Sequence, residues 1–240
     1  MTYCLGIKLK EGLVALSDTR ITSGNETTTA EKYKIYKNEH HNLFIMTSGL
    51  RSVRDKAVTY FSEALNEHFV RLDKLYQAVN LFGEQIKKVA AEDREALSKS
   101  GLAFNFHAIV GGQLKEDKEH MLFLLYPEGN WVEIGNGSPF TIIGNSGYGK
   151  PVLRRTISYD SSIRFAIKTG FLSFDSTRVS ANDVDYPIDV LIYKRDSHDI
   201  QVHRFEHRDL QAISKKWGEL LIKSVNEVPD EWMNVLLKEE

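Results

Sequence analysis

The 240-residue sequence has a single cysteine, Cys4, so it can build neither an internal disulfide nor a cysteine-rich zinc site, as fits a reducing compartment. Its five prolines are too few for a proline-rich or disordered chain. No run approaches the roughly 18 apolar residues that a membrane-spanning helix needs. Charge of one sign is missing too. The 31 Lys and Arg face 33 Asp and Glu, a net charge of -2, without the electrostatic footprint of a protein that binds nucleic acid or an anionic membrane. The opening MTYCLGIKLKEG lacks the apolar stretch of a secretory signal, because Lys8, Lys10 and Glu11 interrupt it, and the expected location is the cytoplasm. What is there is 42% apolar and 27% charged, the balance of a globular protein with a sizeable core. No segment reads as a linker, so residues 1–240 are taken as one domain with a helical tail from about residue 208.

Tyr3, Leu5, Ile7 and Leu9 alternate with Cys4, Gly6, Lys8 and Lys10, the period of a strand that starts at the N-terminus. Glu11-Gly12 is a turn and residues 13–17 (LVALS) return as a second strand. Residues 21–31 form a loop or edge hairpin, 33–36 a short strand, and 43–47 (LFIMT) a central strand closed by Ser48-Gly49. The period then changes. Leu50, Val53, Ala57, Phe61, Ala64, Leu65 and His68 mark one helix, and Leu75, Val79, Phe82, Ile86 and Val89 a second. Strands are expected at 104–110, 121–126, 131–134 and 140–143, with turns at Gly111-Gly112, residues 127–129 and Asn136-Gly137. Two helices over 152–159 and 163–174, a hairpin of 188–193 with 200–205, and a helix along 210–220 complete the chain. Runs of strands alternating with helix pairs do not build a doubly wound sheet. They build an α+β, four-layer αββα sandwich.

Three patterns carry chemistry. Gly144 to Lys150 satisfies GxxxxGK between a strand and a helix, but Pro151 stands where a phosphate loop needs a serine or threonine for magnesium. His203 with His207, and His40 with His41, lack the HExxH or cysteine partners of a metal site, and His107 in its apolar strand reads as a core or site-lining residue. No metal or cofactor is expected. Cys4, inside a strand, reads as a small buried apolar group.

The third pattern is at the start. Thr2 follows Met1 and is small enough for an aminopeptidase to expose it. Its hydroxyl and freed α-amine would then form a nucleophile and general base on one residue, since an α-amine titrates near 7.7–8.0. The pair needs a cation to keep the amine neutral and a carboxylate to orient that cation; Asp18 and Lys34, at strand ends, are the candidates. Ser48-Gly49, after a central strand and before a helix, offers backbone N–H groups to a developing oxyanion. Taken singly, each of these residues has an ordinary use as a terminus, turn, edge charge or cap.

Together, Thr2, Ser17-Asp18-Thr19-Arg20, Lys34-Ile35 and Ser48-Gly49 resemble the β-type subunits of proteasomes. The opening twenty residues, the segment IGNSGYGKP and the segment FDSTRVSANDVDYPIDVLIYKRD resemble more closely the bacterial branch called Anbu. The resemblance implies an N-terminal nucleophile (Ntn) hydrolase that cleaves peptide bonds and self-associates into a ring or open-ring particle. In it Thr2 is nucleophile and base, Asp18 and Lys34 its supporting pair, and Ser48-Gly49 the oxyanion region. The family's second serine and aspartate would map near Ser146, Asp175 and Ser180, although GNSG is not the family's GSG turn and no serine stands three places after Asp175. Alternatives are a silent structural subunit, an amidase acting on a small amide, and a nucleotide binder using the glycine loop. Met46 is a candidate wall of the substrate cleft, and the apolar C-terminal residues a tail that docks on another subunit.

Overall fold

In a computed structural model, which describes residues 2–23, 26–37, 42–68 and 72–237, the alternating N-terminal segment is strand β1 (Tyr3–Leu9). It pairs with β2 (Gly12–Asp18) in an antiparallel hairpin that sets Cys4 opposite Ser17. Every residue of both strands is buried, because each of their faces is covered. Leu5 and Leu16 lie against Gly170 of helix α4 (Ile163–Arg178), where a Cβ would come within 2.8 Å of Leu16. Cys4, Leu13 and Ala15 face a second sheet.

Between these elements come a hairpin of β3 (Arg20–Ser23) with the exposed β4 (Glu26–Thr29), and then β5 (Tyr33–Lys37) and β6 (Asn42–Gly49). Helices α1 (Arg51–His68) and α2 (Leu75–Lys99) follow. The strands β7 (Phe106–Gln113), β8 (Met121–Leu125), β9 (Trp131–Glu133) and β10 (Phe140–Gly144) come next, then the short α3 (Lys150–Thr156) and α4. A last hairpin, β11 (Ile188–Lys194) with β12 (Ile200–Phe205), closes the layer. One antiparallel sheet has the order β10-β1-β2-β11-β12, the other β5-β6-β7-β8-β9.

Two apolar cores hold the layers together. Between the sheets, Cys4, Leu13, Ala15, Leu191 and Tyr193 meet Phe44, Met46, Ile109 and Leu122. Gly6 lets the sheets approach, since a Cβ there would lie 3.0 Å from Ile109. On the outer face of the second sheet, Ile45, Phe106, Val110 and Phe123 pack on Phe61, Phe82, Ile86 and Val89 of α1 and α2. The order is helices, sheet, sheet, helices: the αββα sandwich of the Ntn hydrolases.

The expected turn at Gly111-Gly112 is not a turn. Strand β7 runs through both glycines to Gln113, which pairs with Asn42. They mark crowding: a side chain at Gly111 would collide with the Phe44 ring, and Gly112 at φ 151° lies against the Asn42 carbonyl. Helix α2 also runs ten residues past Val89, to Lys99. Its polar second half is made of strong helix formers, so periodicity of apolar residues understates its length.

The chain divides into two compact units, one through Phe205 and one from Glu206. The second comprises α5 (His207–Asn226), opened by a capping box of Glu206 and Asp209, and a 3-10 turn at Glu231–Val235. It exposes Ile222, Val225, Trp232, Val235 and Leu236.

Candidate active site

Thr2 sits one residue ahead of β1 and is only 3% exposed. Its carbonyl accepts a hydrogen bond from the Asn145 N–H at 2.7 Å, which ties the start of the chain to the turn after β10. Gly144 makes that approach possible. It holds φ 84°, and a Cβ would collide with the Thr2 carbonyl and lie 3.2 Å from Ser48 Oγ. Gly149, further along the same loop, is closed against Ser173 of α4. The two glycines that suggested a phosphate loop are thus occupied by close backbone packing, and the Asn145 N–H is engaged with Thr2.

Asp18 ends β2 beside the start of β1. Its Oδ1 accepts the Tyr3 N–H at 2.8 Å and the Lys32 ammonium at 2.7 Å. Both charged side chains are fully buried. Burial raises the Asp18 carboxyl above its ordinary range, opposed by the Lys32 charge and by the hydrogen bonds from Lys32 and Tyr3. The ion pair is therefore held next to the peptide unit that joins Thr2 to Tyr3.

Lys34 is not the partner of Asp18. Its ammonium donates to Ser62 Oγ of α1 at 2.9 Å and lies 5.4 Å from the Tyr36 ring centre. Lysines two apart on an extended segment share a face, so spacing could not separate them. Register does. The Lys32 carbonyl accepts the Thr47 N–H at the site end of β6, whereas Lys34 is level with Ile45, one pleat further away.

Ser48 and Gly49 end β6. Gly49 turns the chain toward α1 at φ 126°, where a side chain would strike the Asn105 carbonyl. Together with Asn105, His107, Tyr126, Gly144 and Ser146 they line a cleft of about 440 Å³. His107, opposite Ser48 in the ladder, stacks edge-on against Tyr126, and burial lowers its pKa. Ser146 therefore does reach the cleft. Asp175 is buried in α4 and bonds Arg178 at 3.0 Å. Ser180 is exposed beyond α4, and its hydroxyl donates to the Ser176 carbonyl.

Another cleft, of about 270 Å³, lies between β5, β6 and α1, lined among others by Lys32, Ile45, Thr47 and Arg54. Met46 does not reach it and is buried between the sheets. Neither Lys32 nor Arg54 stands out in the sequence. Lys32 shares its face with Lys34, and Arg54 has the spacing of an ordinary helix-surface arginine.

Cys4 is fully buried, and burial pushes its thiol up to about 12, so it is an apolar core group and no nucleophile. His203 is exposed and packs on Phe205, while His40 and His41 lie outside the described residues.

The proteasome-subunit family model matches residues 2–185, most of the chain and the whole of the geometry around Thr2. The chain belongs to the proteasome subunit family. It is of the β type, in the Anbu branch. An Anbu variant from Hyphomicrobium sp. strain MC1 superposes on this family member with a TM-score of 0.86 at 30% identity, covering 96% of this chain and 99% of that one. Anbu from Yersinia bercovieri, an ancestral β-subunit, gives 0.87 at 29% identity over 95% and 98%. The Anbu complex from Pseudomonas aeruginosa, described as a helical assembly, gives 0.86 at 28% identity over 95% and 98%. No curated protein has a significantly similar sequence. Among the described residues no helix is long and apolar enough to cross a membrane.

Proposed function

We propose that this proteasome-type subunit is a threonine peptidase whose nucleophile is Thr2 once Met1 has been removed. The observation that carries it is the buried Asp18–Lys32 pair bonded to the Tyr3 N–H, one residue from a buried threonine. In this mechanism the freed α-amine takes the Thr2 hydroxyl proton as the oxygen attacks the scissile carbonyl carbon. The Lys32 charge favours the neutral, basic form of the amine, and Asp18 holds that charge in place. Donors at Ser48-Gly49 stabilise the oxyanion, with Ser146 as a further polar group at its edge. The amine passes its proton to the departing peptide amine, leaving an ester on Thr2. Water, deprotonated by the same amine, then releases the acid. No cofactor enters the scheme.

The assignment of Asp175 and Ser180 as further supporting groups has less behind it. Asp175 is bonded to Arg178, and the Ser180 hydroxyl is bonded to the helix backbone. The substrate is a peptide or an unfolded protein in the cytoplasm. Subunits self-associate into a ring or open-ring particle, as the helical assembly of the Pseudomonas aeruginosa relative suggests. The exposed apolar residues after Glu206 are the surface for such contacts.

Peptide cleavage by the purified assembly, read beside the intact mass, tests this. The expected outcome is a chain lacking Met1 that cleaves peptides, and a Thr2→Ala variant that does not. Cleavage undiminished in Thr2→Ala places the nucleophile elsewhere. A chain that always keeps Met1 and cleaves nothing is a structural subunit, and one that cleaves small amides but no peptide is an amidase.

A further inference from the structure

The cleft between β5, β6 and α1 adjoins the Thr2 site, because it shares Lys32 with the Asp18 pair and Thr47 precedes Ser48. Its charges are unevenly answered. Glu31 lies 3.6 Å from Arg204, Asp55 lies 3.4 Å from Arg51, and Lys32 is bonded to Asp18. Lys34 is bonded to Ser62 and stacked on Tyr36. Arg54 remains. It is 8% exposed, lines the cleft, and its guanidinium makes one hydrogen bond with the described residues, from Nε to Thr47 Oγ1 at 3.2 Å. Among the described residues it has no acidic partner.

A guanidinium has five N–H donors and stays charged. With Nε given to Thr47, the Nη N–H groups are not sealed in the core but open to the cleft, where an anion can meet them. No described carboxylate answers Arg54: Asp55 pairs with Arg51, and Glu31 lies at the edge of Arg204, whose two-pronged bond is with Asp189, so the Nη donors are left for a ligand in the cleft. The wall beside Arg54 is part apolar, with Ile45 and Val58. That suits a carboxylate carried on a short aliphatic stem better than a bare inorganic ion.

We infer that this cleft binds an acidic side chain, glutamate or aspartate, of the peptide flanking the bond to be cut, with Arg54 as the specificity-determining residue. The inference rests on Thr2 being the reacting residue, and it names a substrate class for that same site. Arg54 grips the carboxylate with two N–H donors in parallel, the geometry that favours arginine over lysine. A neutral glutamine in place of the substrate's glutamate keeps the shape and loses the charge.

Equilibrium binding separates this from catalysis. N-acetylated, C-amidated peptides with alanine at all positions but one, which is Glu or Gln, are titrated into the assembled Thr2→Ala protein. The Glu peptide is expected to bind about tenfold tighter, the factor a charge-assisted hydrogen bond supplies, and the preference should shrink as salt is raised. In Thr2→Ala with Arg54→Met the ratio should fall toward one, and with Arg54→Lys it should return in part. A ratio near one with Arg54 intact overturns the inference, and so does a ratio that Arg54→Met leaves unchanged or failure of both peptides to bind at millimolar concentration. The first measurement needs no Arg54 variant, so misfolding of Arg54→Met leaves the test standing. If the Glu preference holds while the unmutated protein cleaves nothing, Thr2 catalysis is refuted and the acidic subsite is not.

Discussion

Replacing Lys32 by methionine should destabilise the protein far more than the same change at Lys34. In Lys32→Met the Asp18 carboxylate keeps the Tyr3 N–H and loses its only counter-charge among the described residues, at a fully buried position. Its Oδ2 already lacks a partner within the described chain. Breaking one side of a buried pair costs about 3–5 kcal/mol. For a chain of this size about 1 kcal/mol moves the melting temperature by roughly 2–4 °C, so the expected drop is roughly 6–20 °C at fixed protomer concentration. Lys34→Met gives up an exposed hydrogen bond to Ser62, worth about 1 kcal/mol or less. The sign with pH follows from the raised Asp18 carboxyl. Without Lys32 that carboxyl lies higher still. As pH rises from the unfolded value, the unfolded chain ionises first and the folded state loses ground until the folded carboxyl ionises too. The Lys32→Met deficit is therefore full above the raised folded value and shrinks as the solution is acidified. Adding Asp18→Asn to Lys32→Met should recover most of the melting temperature and none of the cleavage. Equal losses at Lys32 and Lys34, or a double variant no more stable than Lys32→Met, would refute the pairing.

Two further outcomes follow from the same geometry. Gly144→Ala must fit a side chain at φ 84° against the Thr2 carbonyl. A backbone strain of about 1–3 kcal/mol should lower the melting temperature, and peptide cleavage should fall at least about tenfold as Thr2 is displaced. The Cys4 thiol, pushed up to about 12 and fully buried, should resist iodoacetamide at about pH 8 and react only in denaturant. Rapid labelling of the folded protein, followed by mass spectrometry, would contradict its burial.

Much of the sandwich is legible in the sequence because its two periods are clean. Tyr3 to Leu9 alternates because large residues such as Leu5 pack on α4 while the small Cys4 and Gly6 face the second sheet closely, and Val53, Ala57, Phe61 and Leu65 recur at helical spacing because α1 buries one face. Gly111-Gly112 misleads because a glycine says that space is short and not whether the cause is a turn or a neighbouring ring. Phe44, which supplies the ring, is far away along the chain, on another strand. The far end of α2 is invisible to the same pattern, having little apolar to show.

The sequence by itself determined that a threonine follows Met1, that an aspartate closes the second strand, and that a serine and glycine end a central strand before a helix. These are local facts, fixed by chemistry and by spacing within single elements. Only the tertiary structure decided which lysine serves Asp18, because Lys32 and Lys34 share a face and differ by one pleat in register with β6. It alone singled out Arg54 as well. Whether a helix arginine stands in bulk solvent or turns its N–H groups into a cleft depends on what β5 and β6 bring opposite it, and no run of residues along α1 records that.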